Sequence, residues 1–361
     1  MKNMKNNMKT IIITGVTGQD GSFMADFLVK DPTNMVFGAQ RRLSNPNYKN
    51  ISHLLSLPNF KLIELDVTDS ENVNSVIKEF NPDYYINFAA NSFVGNSWVM
   101  PINHMQTNMM GVLYALESIK KYSPSTRFYN AGSSEQFGDV QYSPQDIKHP
   151  FKPRSPYGAS KCAAHHIVKV YRESYNMYAV QGILFNHEGT RRGEEFVTRK
   201  ITKGVAKINK NIINKEKFEP ITLGNIYARR DWSDAEDFVK GVWLMMNQDR
   251  PEDYILSSDE THTIKEFIEK SFAVANIEGY WDGTGINERF ILSNYIAELL
   301  DYKQTENLVL VQIDQQLYRP AEVDLLLGDS SLARNILKWN PQTTFKDLVK
   351  KMTLHDIQLS I

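Results

Sequence analysis

The chain has a single cysteine, Cys162, so no intrachain disulfide can form, and a reducing, cytoplasmic setting is the expectation. Charge of one sign is also missing, with 41 Lys and Arg against 42 Asp and Glu. Such balance gives no global field for nucleic acid or an anionic membrane, and leaves only local basic pairs for a phosphorylated ligand. No apolar run approaches the ~20 residues of a membrane span. Met1 to Lys9 contains only Met, Lys and Asn, and three isoleucines soon after are too few for a signal-peptide core. Residues 1–8 are therefore expected to be a disordered leader. Internal repeats and low-complexity linkers are absent. His165, His166 and His187 have no ligand partners at metal spacing, so they read as packing or polar-surface residues and no metal is expected.

What is present is an ordinary globular composition, 42% hydrophobic and 23% charged over 361 residues. That length fits one large α/β unit with a second lobe, or two domains. Ile11, Ile12 and Ile13 run together without alternation, as in the buried strands of a parallel sheet. The pattern predicts strands over Lys9–Thr14, Met35–Gln40, Phe60–Leu65, Asp83–Ala89, Thr126–Ala131 and Tyr178–Phe185. Helices are predicted over Ser22–Lys30, Ser70–Phe80, Ile102–Tyr122 and Tyr157–Tyr175. This alternation predicts a Rossmann-like, doubly wound parallel sheet over residues 9–186. Beyond residue 187 the alternation weakens. Helices are predicted over Phe196–Asn209, Ala235–Asn247 and Ile264–Ala275, with a short strand at Pro220–Leu223, while residues 280–310 show no clear period. Residues 187–361 are expected to form mainly a smaller α/β substrate lobe, with segments free to interleave, above the carboxyl ends of the strands.

Gly15-Val16-Thr17-Gly18-Gln19-Asp20-Gly21 follows a strand and opens a helix. Glycines at such a turn let the backbone approach a pyrophosphate resting on the helix N-terminus, so these residues are candidates for binding a dinucleotide. At the end of the second strand, where NAD-binding chains usually carry Asp or Glu, this one has Arg41-Arg42. Cations there suit a 2′-phosphate and favour NADP. Asp66-Val67 after the third strand would border the adenine, and the small Ala89-Ala90 after the fourth would let the cofactor pass closely. Tyr157 and Lys161 share one helix face at i and i+4. A phenol titrates near ~10, so a neighbouring ammonium and a positive nicotinamide ring are expected to lower it towards use as a base. Glu135, upstream in Gly132-Ser133-Ser134-Glu135, adds a carboxyl that can remove a carbon-bound proton.

Tyr157-x-x-x-Lys161, the Ser-Ser-Glu element and the glycine turn resemble the extended short-chain dehydrogenase/reductases that modify nucleotide sugars. Longer strings narrow the resemblance: Thr14 to Gly21, Pro153 to Lys161, Leu184 to Glu188, Arg191 to Gly193, Phe196 to Lys200, Arg230 to Trp232 and Arg319 to Asp324. In that order, over about residues 9–350, they are similar to the GDP-mannose 4,6-dehydratase family. The chain departs from it in carrying Ser133 where Thr is common, and Asn91-Ser92-Phe93-Val94 where Gln-Ser-His-Val is common. A longer stretch over Asn287 to Ile313 departs as well.

The resemblance implies a hydro-lyase that oxidises C4 of GDP-mannose, removes water across C5 and C6, and returns the same hydride to C6 from tightly bound NADP. It implies Tyr157 as the base for the C4 hydroxyl, Lys161 as its electrostatic support and as holder of the nicotinamide ribose, so that both also border the cofactor, Ser133 as a donor to O4, and Glu135 as acid and base at C5 and C6. Ser92, Asn186, Glu188, Val197, Lys200, Leu223, Arg230, Arg319 and Glu322 would contact the GDP-sugar, the arginines as forks on the diphosphate. A homodimer or homotetramer is expected. Three other readings stay open. The same chemistry could act on GDP-manno-heptose. The chain could be a 4-epimerase or 4-keto reductase, neither of which needs Glu135. It could also be an NADP-sensing protein without catalysis, although such proteins typically lose the Tyr or the Lys that stand here.

Overall fold

The structure, a computed structural model, describes residues 8–293, 308–318 and 325–360. Strands β1 (Lys9–Thr14), β2 (Asn34–Gln40), β3 (Phe60–Glu64), β4 (Tyr84–Asn87), β5 (Arg127–Ala131) and β6 (Ala179–Leu184) lie in one parallel sheet. β7 (Asn186–Glu188) leaves that sheet at once. Short strands β8 (Ile221–Leu223), β9 (Arg229–Arg230) and β10 (Trp232–Asp234) follow, and β11 (Tyr254–Leu256) returns as the seventh strand. The order is β11-β6-β5-β4-β1-β2-β3. The run Ile11 to Ile13 is fully buried because both sheet faces are covered by helices.

On these faces pack α1 (Gln19–Leu28), α2 (Ser70–Phe80), α3 (Pro101–Met105), α4 (Gly111–Tyr122) and α5 (Pro156–Tyr175). Asp69 caps α2 by accepting from the amides of Glu71 and Asn72, and left-handed Asn81 before Pro82 ends it. Ser155 caps α5 and Pro156 occupies its first turn, which fixes where Tyr157 enters the sheet's edge. The predicted helix over 102–122 is continuous, but residues 106–110 widen into a π turn between α3 and α4.

The second lobe is built from α6 (Val197–Ile213), α7 (Ala235–Met246), β12 (His262–Thr263), α8 (Ile264–Val274), β13 (Gly279–Asp282), β14 (Arg289–Leu292), β15 (Val309–Ile313), β16 (Leu325–Leu326) and α9 (Phe345–Ser360). Not all of it stays there: α7 lies on α1 and the main sheet, contributing Phe238, Val242 and Met245 to the main core. A four-stranded sheet, β13-β14-β15-β8, packs with α6, α8 and α9 around Ile201, Phe267, Phe272, Phe290, Leu310 and Phe345. The strands in 279–313 show no sequence period because they are four or five residues long and only partly buried. β11 and α9 were not anticipated; β11 has only three residues, Tyr254 to Leu256, and its burial depends on β6. α1 begins at Gln19, three residues before the predicted start, so Gln19 and Asp20 sit in its first turn. Of the expected leader, residues 1–7 lie outside the described residues, as do residues 294–307 of the stretch that departs from the family pattern.

Candidate active site

The carboxyl ends of the strands and the second lobe enclose one large cleft of about 1130 Å³. A buried side-chain ladder runs across the sheet beneath it. Thr14 Oγ1 donates to Asn87 Oδ1 (2.6 Å), Asn87 Nδ2 to Asn130 Oδ1 (2.9 Å), and Asn130 Nδ2 to Gln181 Oε1 (2.9 Å). Thr14 Oγ1 also accepts from the Ala89 amide at 3.1 Å, which fixes the Ala89-Ala90 loop against β1.

The glycine turn lines one end of the cleft through Gly15, Thr17, Gly18, Gln19, Asp20 and Gly21. Gly15 has φ +68°, and a Cβ there would stand 2.8 Å from the Ala89 nitrogen. A Cβ on Gly21 would stand 2.3 Å from the Gly15 carbonyl oxygen. At either place a side chain would strike the protein's own backbone, so the turn needs glycine to close against α1 and the Ala89 loop. Arg41, Asp66, Val67, Ala89 and Ala90 line the same end. Arg42 is exposed and does not line the cleft. The Asp66 carboxylate already accepts from the Thr68 amide and hydroxyl, at 2.9 and 2.7 Å.

At the centre stand Ser133, Glu135, Tyr157 and Lys161. Ser133 caps a short turn at Ser134–Gln136 in a capping box with Gln136, which holds Glu135 over the sheet. A Cβ on Gly158 would lie 2.6 Å from the Glu135 carbonyl oxygen, so the glycine after Tyr157 lets α5 press against this turn. Lys161 Nζ donates to the Ala131 carbonyl oxygen at 2.7 Å and lies 5.9 Å from the centre of the Tyr157 ring.

The electrostatics differ from the sequence expectation. Burial pushes the Tyr157 phenol up to about 12, against a hydrogen bond from Ser133 that lowers it, while the Glu135 charge raises it further. Burial likewise brings the Lys161 ammonium down to about 8. With the protein's own groups alone, desolvation is the largest influence on the phenol and outweighs the Ser133 hydrogen bond.

The other end of the cleft gathers Ser92, Asn186, Glu188, Val197, Lys200, Leu223 and Arg230. Asn186 Oδ1 is buried without a hydrogen-bond partner among the described residues. Glu188 is buried, accepts from the Thr198 hydroxyl, and pairs with Arg192 at 3.0 Å. Arg230 is buried and donates to the Arg229 carbonyl at 2.9 Å. Arg319 and Glu322 lie outside the described residues; Gln316, Leu317 and Tyr318, just before them, line the cleft.

Sequence reasoning passed over several lining residues. His187 was set aside as packing, yet it bonds Asp20 in the glycine turn at 2.8 Å. Arg192 lies over the Phe196 ring at 3.5 Å, and Phe196 meets Phe93 edge-on at 5.8 Å, closing one wall. His187, Arg192 and Phe196 lie inside the Leu184 to Glu188, Arg191 to Gly193 and Phe196 to Lys200 strings, and Phe93 inside the Asn91 to Val94 departure, but the strings alone assign them no partner. Among the described residues there is no group of three or more His, Cys, Asp or Glu side chains placed to hold a metal, and no helix long and apolar enough to cross a membrane.

The family model described as GDP-mannose 4,6 dehydratase matches residues 12–352. The chain belongs to the GDP-mannose 4,6-dehydratase family. A relative of that name from Vibrio cholerae is 40% identical over 359 residues, covering 98% of this chain and 95% of its own. The human relative is 41% identical over 356 residues, covering 96% and 91%. Among solved structures, UDP-glucuronic acid 4-epimerase from Bacillus cereus, in complex with UDP-glucuronic acid and NAD, superposes with a TM-score of 0.77 at 18% identity, covering 97% and 99%. RMD from Pseudomonas aeruginosa, complexed with NADPH, gives 0.72 at 17%, covering 97% and 100%. At that identity these two likenesses establish the Rossmann-type fold.

Proposed function

We propose that the protein dehydrates GDP-mannose to GDP-4-keto-6-deoxymannose with NADP held in the cleft throughout the cycle. The single observation that carries this reading is the set Ser133, Glu135, Tyr157 and Lys161, gathered at the middle of one cleft in a chain of this family. Two structural relatives bind NAD or NADPH, and the Gly15–Gly21 turn lines the cleft at the N-terminus of α1, where a dinucleotide pyrophosphate would rest. A nicotinamide held beside Tyr157 and Lys161 would supply the hydride acceptor for C4 and the hydride donor for C6. Arg41 at the adenosine end supports NADP over NAD, since a guanidinium fork pairs with a 2′-phosphate.

The residues divide the remaining work. Tyr157 takes the C4 hydroxyl proton, and Ser133 donates to O4. Lys161 lends positive charge to the phenolate. Oxidation at C4 acidifies the C5 hydrogen. Glu135 removes that proton and then gives one to the departing C6 hydroxyl, so one carboxyl serves as base and acid in turn. At the far end Asn186, Glu188, Val197, Lys200, Leu223 and Arg230 bind the GDP, with Ser92 towards the sugar; Arg319 and Glu322, outside the described residues, join them on the family resemblance alone. Asn186 supports this assignment because its buried carbonyl oxygen has no partner among the described residues and needs a donor from a ligand.

The test is direct. The purified chain is incubated separately with GDP-mannose and GDP-manno-heptose, and products are read by mass. Loss of one water from GDP-mannose, with no net change in nicotinamide, is the expected result. Loss of water from the heptose substrate alone would move the substrate assignment to that sugar. An intact mass, with proton NMR of the recovered sugar showing inverted C4 stereochemistry, would mark an epimerase. A soluble enzyme of the cytoplasm, assembled as a homodimer or homotetramer, completes the proposal.

A further inference from the structure

Asp20 poses an electrostatic problem. It sits in the first turn of α1, on the glycine cradle where a diphosphate would rest, and it lines the cleft. A carboxylate beside a diphosphate repels it unless a cation intervenes. The structure supplies one from a distant part of the chain. His187, on β7, places Nε2 at 2.8 Å from Asp20 Oδ2. Its Nδ1 lies 2.7 Å from the Phe185 carbonyl oxygen. An oxygen acceptor at each ring nitrogen suits the doubly protonated ring, which alone can donate to both. Gln19 Nε2 donates to the His187 carbonyl at 3.1 Å and to Asp20 Oδ1 at 3.1 Å, so two consecutive residues of the turn are tied to β7.

We infer that His187 is a positioning residue of the cofactor site, whose imidazolium neutralises Asp20 and ties the phosphate-binding turn to the strand that carries Asn186 and Glu188. The inference rests on the reading of this cleft as a dinucleotide site. The surrounding groups leave the task to His187. Two other cations act on Asp20: Arg192 is committed to Glu188 at 3.0 Å and to the Phe196 ring, and Lys161 donates to the Ala131 carbonyl at 2.7 Å. From α7 the pair meets the Phe238 ring, stacked on His187 at 4.7 Å. From β5 and α5 come Tyr129, Tyr157 and Lys161, each of which feels the Asp20 charge. Burial disfavours both charges, yet each partner outweighs it for the other. The Asp20 carboxyl is held below its usual range and the His187 imidazole above its own. The ion pair is therefore lost as pH rises through the raised His187 value, and as pH falls through the lowered Asp20 value.

NADPH affinity, read by fluorescence titration of the full chain after exchange of any bound cofactor, tests the inference with three variants. His187→Gln keeps a hydrogen bond but no charge, and should weaken NADPH by ~10–100-fold, the scale of one uncompensated unit charge near a phosphate. Asp20→Asn should bind at least as well as wild type and lose the decline in affinity at alkaline pH. The double variant H187Q/D20N should recover most of the affinity lost by H187Q, because the two effects couple through one charge pair. H187Q binding as tightly as wild type, or a double variant weaker than H187Q, would overturn the inference. Thermal unfolding of each variant separates lost folding from lost binding, and D20N, which removes the charge and one acceptor oxygen, keeps the test open if H187Q does not fold. A wild-type chain that binds neither NADPH nor NADH would instead overturn the dinucleotide reading itself.

Discussion

Lys161→Met removes the cation nearest the Tyr157 ring while keeping much of the side chain's bulk. Two unit charges at the 5.9 Å separation of Lys161 Nζ from the Tyr157 ring centre interact by ~2.8 kcal/mol at an effective dielectric of about 20. That is about two pKa units for the phenol, or roughly a hundredfold in its readiness to lose a proton. The loss falls on a group that burial already holds near 12, so little reserve exists. A second, smaller cost follows because the Ala131 carbonyl loses its donor. The assay is single-turnover oxidation at C4, followed by the absorbance of reduced nicotinamide across pH. At neutral pH, K161M should be about a hundredfold slower than wild type. The pH dependence is sharper still. Lys161, brought down to about 8 by burial, is charged below that pH and neutral above it. The advantage of wild type over K161M should therefore be largest below pH 8 and shrink above it. A ratio that stays constant through that pH would refute an electrostatic role for Lys161 and leave only a packing or ribose-holding one.

Glu135→Gln should leave C4 oxidation running while water loss falls by ~10²–10⁴, so reduced nicotinamide accumulates on the enzyme; dehydration at the wild-type rate would remove Glu135 from the chemistry. Tyr157→Phe should abolish both half-reactions together, and surviving C4 oxidation in single turnover would count against it as the base. Arg41→Ala should weaken NADP by roughly 1.5–3 kcal/mol more than NAD, the worth of a charge-assisted contact; equal losses in paired titrations would rule out a 2′-phosphate contact. Phe93→His restores the residue common in the family and loosens the edge-on contact with Phe196, worth ~0.5–1.5 kcal/mol. It should change the ratio of kcat/KM for mannose over heptose substrates without changing GDP affinity, and an unchanged ratio would take Phe93 out of the specificity argument.

The sequence alone determined the parts whose signal is local. Ile11 to Ile13 marked the central strand, because a strand covered on both faces has no polar alternation to hide it. Asp69, Ser155 and the left-handed Asn81 and Asn176 fixed helix ends through hydrogen bonds and backbone conformations that involve near neighbours. Glycine spacing marked the cradle, and Tyr157 with Lys161 marked one helix face, since both patterns repeat within a few residues. Only the tertiary structure decided what depends on distant segments. Tyr254–Leu256 became the seventh strand through its register with Gly182 to Leu184, far too short a run to declare itself. Phe93 met Phe196, and Asp20 met His187, across separations that no periodicity records. The phenol of Tyr157 and the ammonium of Lys161 took their proton affinities from burial, a property of the assembled core. Burial is a sum over everything that packs around a group, and that sum exists only when β5, α5 and the turn at Ser134–Gln136 have come together.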